Sequence, residues 1–204
     1  MKRLIPILAL TALCWAVFFL NHAFFSDRLI QYGIRPRHLS GLAGILWCPF
    51  LHGSFQHLAA NTVPLLILGS ILCLRSPSEF VGVTVGGIVL SGGLVWLLGR
   101  NAYHIGASAL IFCFFGYLAS LAVFERKTGN LLLSLLCIIA YGGILRGVVP
   151  TSGAISWEGH LLGLLSGIAL AWFIANVKKA NNETRSPVSE VPHERTIHAG
   201  SDRE

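Results

Sequence analysis

Six apolar runs, each close to the length that crosses a bilayer core of about 30 Å, succeed one another along this chain with little between them. They lie at about 4–20, 56–74, 80–98, 105–124, 131–145 and 157–177. The turns between the later runs are short: Arg75 to Glu79, Gly99 to His104, Glu125 to Asn130 and Arg146 to Ser156. A chain that is 54% hydrophobic and 12% charged has too little charge to cover a soluble surface of this size. The pattern predicts an all-α, multi-pass membrane protein in which residues 1–177 form one six-helix bundle.

The first run follows Lys2 and Arg3 and resembles a signal peptide in length, but no small-x-small cleavage site follows it, so it is read as a span. The stretch from Leu39 to Leu51 is apolar, rich in Gly and Trp, and too short to cross; it reads as a loop that lies in the interface or is partly inserted. From Lys178 to Glu204 the chain is polar and without periodicity, which predicts a disordered tail. Lys2, Arg3, Arg75, Arg126, Lys127, Lys178 and Lys179 fall on one side of the six-helix topology and Arg28, Arg35, Arg37, Arg100 and Arg146 on the other. This modest bias places both termini in the cytoplasm. The net charge of +6 therefore sits at helix flanks and not in a basic stripe, which argues against nucleic acid as a partner. Five cysteines lack any metal-ligand spacing and read as buried, reduced packing residues.

Strongly polar groups inside spanning helices are costly. Here His57, Asn61, Ser108 and His160 lie in the first turns of the second, fourth and sixth runs, which all cross in the same direction and so share one depth. His57 and Asn61 fall on one helix face, as do His160, Gly163 and Gly167, the last two forming a GxxxG that favours close backbone approach. Ser108, Phe112, Gly116 and Ala119 line a mostly small face of the fourth helix, so its packing on the sixth brings Ser108 to His160. A serine becomes nucleophilic when a base takes its proton. His160 is that base, in a dyad, because Glu158 is two residues away and faces elsewhere on the helix. The Ser108 amide, Asn61 and His57 supply donors for a developing oxyanion. With no HExxH and with His52 and His57 badly spaced for one face, no metal is expected. His52 and His104 read as structural hydrogen-bonding residues.

Gly106-Ala-Ser108-Ala resembles the GxSG motif of rhomboid intramembrane serine proteases, His57-Leu-Ala-Ala-Asn61 resembles their HxxxN, and His160-Leu-Leu-Gly163, continued by Gly167, resembles their HxxGxxxG. The order also matches, over about residues 52–177. The resemblance implies a hydrolase with nucleophile Ser108, general base His160, an acyl-enzyme, an oxyanion site of Asn61, His57 and the Ser108 amide, and no cofactor. It further implies transmembrane protein substrates cleaved near the outer face, with lateral entry past the fifth helix and a mobile cap in which Gly142, Gly143, Gly147 and Gly153 act. Three positions depart from the family: Ala109 replaces the glycine after the serine, Phe112 stands where tyrosine is common, and the Trp-Arg pair of the first outer loop is missing although Trp47 lies there. The alternative reading is a catalytically silent relative that binds transmembrane clients. Short loops suit a bacterial inner membrane; no motif sets an oligomeric state. A transporter would need polar groups along a continuous path, and the inner halves of the helices read as almost wholly apolar.

Overall fold

The computed structural model describes residues 2–150 and 155–185. Six helices in it are long and apolar enough to cross a membrane. They are α1 Ile5–Phe24, α2 Phe55–Arg75, α3 Pro77–Leu98, α4 Ser108–Glu125, α5 Thr128–Tyr141, which tightens into a 3₁₀ stretch over Gly142–Val148, and α6 Trp157–Arg185. They form one all-α bundle, and six helices of this length and apolarity make the chain a multi-pass integral membrane protein.

The bundle is built around α4. A helix apolar on every side finds its partners on every side, and from Leu110 to Leu118 each residue of α4 is buried. Leu65, Leu68 and Leu72 of α2, Val83 of α3 and Ala171 of α6 close the core around it. By contrast α5 packs chiefly on α4 and turns Leu132, Leu135, Leu136 and Ile139 outward, the lipid-facing pattern of a peripheral span. Between α1 and α2 the segment Leu39–Phe50 forms only short helical turns, too short to span. It is pinned from inside: the Cys14 thiol donates to the Pro49 carbonyl, and the backbones of Ile34 and His104 exchange hydrogen bonds of 3.0 and 2.9 Å. All five cysteines are buried and unpaired, and burial pushes the Cys48 thiol up to about 12.

Serines start three of the helices. Ser54, Ser76 and Ser156 each accept a backbone N–H from three residues on, at 3.1, 3.3 and 3.1 Å, satisfying donors that a helix start leaves open. With Pro77 at the first helical position behind it, Ser76 ends α2 and starts α3, so the turn read at Arg75 to Glu79 shrinks to one residue.

The end of the bundle away from the Ser54 and Ser156 helix starts corrects two expectations. Charges read as flank signals are half-buried and joined: Glu125 takes Arg75 at 2.5 Å and Lys178 at 2.6 Å, and Glu79 takes Arg75 at 2.9 Å and Lys178 at 2.6 Å. Asn130 donates to Glu125, and the Tyr117 hydroxyl, deep in α4, donates to Glu79. A closed polar knot thus joins the ends of α2, α3, α4, α5 and α6, and Tyr117 is its one member from within a span. The same knot explains why α6 does not stop at Val177. Lys178 is held on two carboxylates, and the helix continues to Arg185, so the segment read as a disordered tail begins as helix. The rest of that segment lies outside the described residues.

Candidate active site

Ser108 is the first residue of α4, and the loop delivering it is tightly determined. Gly106 has φ +106°, backbone that a side chain rarely tolerates. A Cβ there would also lie 2.6 Å from the His57 ring, so only glycine lets this loop cross the imidazole. The Gly106 amide donates to the Cys48 carbonyl at 2.9 Å, which ties the loop to the partly inserted segment.

Asn61 sits one turn beyond His57 on α2. Its side-chain nitrogen lies 3.4 Å from that same Cβ position at Gly106, and it is buried without a partner. A buried donor left open costs about 1–3 kcal/mol, so an orphaned amide beside the serine loop calls for a ligand or a transient acceptor. His57 also meets His52 edge to face, with ring centroids 5.0 Å apart. Burial, helped by the neighbouring His57, pulls the His52 imidazole down to about 4. At neutral pH His52 is thus an uncharged ring wedged behind His57.

His160 lies in the first turn of α6. Its ring stacks on Phe112 with centroids 4.3 Å apart and planes 8° from parallel, one turn along α4 from Ser108. Nδ1 lies 2.8 Å from the Gly147 carbonyl oxygen. A carbonyl only accepts, so Nδ1 carries the proton and Nε2 is left as the basic nitrogen. The helices cross closely enough for this because Gly163 lies on the backbone of Ala109 and Gly167 on the Cys113 carbonyl, where any side chain would collide. Gly116 makes the reciprocal contact, its missing side chain admitting the Leu164 carbonyl. The Ala109 methyl points instead at Gly159; a Cβ built on Gly159 would stand 3.9 Å from it, an ordinary contact. The extra methyl in the serine motif therefore does not wedge α4 from α6.

Ser108, Ala109, His104, Ser156 and Gly159 are among the residues lining one small, partly open cavity of about 20 Å³. Among the described residues no cluster of three or more His, Cys, Asp or Glu offers a metal site.

A family model of the rhomboid domain matches residues 39–177. The chain belongs to the rhomboid family. An uncharacterized protein of Mycobacterium tuberculosis is 39% identical to this rhomboid over 158 residues, covering 73% of this chain and 66% of that protein. A second, from Mycobacterium leprae, is 34% identical over 173 residues, covering 80% and 68%. RHOMBOID-like protein 5 of Arabidopsis thaliana is 28% identical over 159 residues, covering 72% of this chain and 46% of the plant protein. The chain thus spans about two thirds of the mycobacterial relatives' length.

Sequence reasoning missed two residues of this rhomboid's site. Gly147 was assigned to a mobile cap, yet it touches the His160 ring: a Cβ there would stand 2.8 Å from Nδ1 and 3.0 Å from Phe112 Cζ. Gly159 makes room for Ser156: a Cβ there would stand 2.8 Å from its hydroxyl oxygen. A backbone carbonyl in a 3₁₀ turn leaves no side-chain pattern, so nothing in the sequence flagged the first; the GxxxG spacing, extended one turn back through Gly159 and Gly163, held the signal for the second.

Proposed function

We propose that this rhomboid is an intramembrane serine endopeptidase with Ser108 as nucleophile and His160 as general base. The observation that carries the reading is the state of His160: stacked on Phe112, one turn along α4 from Ser108, with Nδ1–H bound to the Gly147 carbonyl and Nε2 left as a base. In this reading the Ser108 hydroxyl adds to the scissile carbonyl and gives its proton to Nε2. The oxyanion is met by the Ser108 backbone N–H and by Asn61, with His57 beside them. His160 then protonates the leaving amine. Water, deprotonated by the same nitrogen, hydrolyses the acyl-enzyme. The Asn61 nitrogen supports this assignment, because it is buried beside the Ser108 loop and, among the described residues, no protein group accepts from it, which leaves it free to donate to an oxyanion.

The substrate in this reading is the transmembrane segment of another protein, cut near the outer face, with the termini of the rhomboid in the cytoplasm. Lateral entry past α5 is supported by that helix's peripheral, lipid-facing position. A bacterial inner membrane suits the mycobacterial relatives.

The test is fluorophosphonate labelling of the purified protein in detergent. Wild type is expected to take the label on Ser108 and Ser108→Ala to take none. A folded wild type that stays unlabelled would move the assignment to a client-binding relative without catalysis. A second expectation concerns Gly147. Gly147→Ala pushes its methyl into the imidazole, and misplacement of a base by about 1 Å costs on the order of 10²-fold. The labelling rate should fall by about that factor with thermal stability nearly unchanged; an unchanged rate would mean that the ring has another resting position.

A further inference from the structure

Glu158 is buried, precedes His160 by two residues, and takes no part in the chemistry proposed above. One carboxylate oxygen is 3.5 Å from Nε of Arg100, in the loop that leads to Ser108; the other is buried with no partner. The guanidinium of Arg100 also donates to the Ile155 carbonyl at 2.6 Å. Next to this pair runs a chain of hydrogen bonds whose directions are fixed by its ends. His104 Nε2 lies 3.0 Å from the Arg100 carbonyl, so it donates there. The Gly159 amide donates to Ser156 Oγ at 3.1 Å. Between them, Ser156 Oγ and His104 Nδ1 are 2.6 Å apart, and burial keeps the imidazole below its ordinary value, hence neutral. Nδ1 then accepts from the Ser156 hydroxyl.

Both connections join the same two segments. One segment, residues 99–107, leads through Gly106 to Ser108; the other, residues 155–160, ends in His160. The loop's other side is already fixed, by the Ile34 pairing with His104 and by the Gly106 amide on Cys48. Among the described residues, the α4 and α6 starts share this polar contact above the glycine crossing. Glu158 in the first turn also favours the α6 helix dipole by itself, but that effect needs no Arg100, and Arg100 is aimed at it.

We propose that Arg100 and Glu158, with His104 and Ser156, form a clasp that sets the His160 end of α6 against the Ser108 loop, making Arg100 and Glu158 positioning residues for the dyad. The proposal rests on the serine-hydrolase reading. Charge on Glu158 and its partner, rather than its bulk, carries the effect.

The experiment uses the full chain in detergent and two readouts: hydrogen exchange of peptides covering 99–107 and 155–160, and the second-order rate of fluorophosphonate labelling. Glu158→Gln and Arg100→Gln are each expected to raise exchange in both segments and to slow labelling by about tenfold, a fraction of the 10²-fold attached to a misplacement of about 1 Å. Glu158→Asp, which keeps the charge and loses one methylene, should recover most of the rate that Glu158→Gln loses. Unchanged exchange in either segment overturns the clasp. Raised exchange with labelling within twofold of wild type overturns the positioning role, as does Glu158→Gln acting alone while Arg100→Gln is silent. A wild type that takes no label while exchange still rises in the variants strikes the serine-hydrolase reading, and the positioning role falls with it.

Discussion

His160→Ala is expected to lower the cleavage rate of a transmembrane-helix reporter in proteoliposomes by about 10⁴-fold or more, with the fold unchanged. The size follows from the job assigned to the ring. A serine hydroxyl near neutral pH is almost wholly protonated, and the base must both take that proton and return it to the leaving amine. Residues that act as one unit are not additive. The double variant Ser108→Ala/His160→Ala should therefore be no slower than either single one. Asn61→Ala should be milder, about 10² to 10³-fold, as is typical for one oxyanion donor. Stability should stay level in His160→Ala, because the ring's contacts are Phe112 and one carbonyl at the edge of the core. Retention of even a hundredth of wild-type cleavage in His160→Ala would assign the proton transfer to another group.

Glu125→Gln is expected to cost about 3 kcal/mol in the unfolding free energy. The carboxylate side chain is 7% exposed and receives Arg75, Lys178 and Asn130. Removing one member of a buried ion pair leaves the others uncompensated and typically costs about 3–5 kcal/mol. The low end applies because the Lys178 side chain is 40% exposed and regains water. Titration with a denaturing detergent in mixed micelles measures it. A loss below about 1 kcal/mol would class these contacts with ordinary surface pairs. Since the knot is at the far end from Ser108, the folded fraction of Glu125→Gln should label at the wild-type rate.

Much of this arrangement is legible in the sequence, and the reasons are particular. Spanning helices announce themselves by length and apolarity. Because α2, α4 and α6 cross in the same direction, polar residues in their first turns must share a depth, and with so few of them the candidates narrow to His57, Asn61, Ser108 and His160. Glycines at 106, 163 and 167 mark where backbones meet. The rest lacked such a signature. Arg75, Glu79, Glu125 and Lys178 are far apart in the chain and each lies at a helix end, where a charge ordinarily marks topology. Only the packed ends bring them together. Glu158 was set aside because two residues along a helix separate its direction from that of His160; that argument excludes it as a triad member but not as the partner of Arg100. Gly147 acts through its carbonyl and its lack of a side chain, neither of which a motif records.

The way α5 is fastened has a mechanical consequence. Its side-chain hydrogen bonds to other helices, among the described residues, are at Asn130 to Arg75 and Glu125, and at Ser134 to the Leu118 carbonyl and the Ala122 amide. All lie in the lower part of the helix. At its upper end the tie is the Gly147 carbonyl on His160. A rod anchored at its foot swings most at its tip, so any tilt of α5 away from α4 is felt most strongly where that one bond is made. The wall of the bundle and the tautomer of the imidazole are thereby a single degree of freedom. In the protease proposed here, a guest entering between α5 and its neighbours would act on His160 before it reaches Ser108.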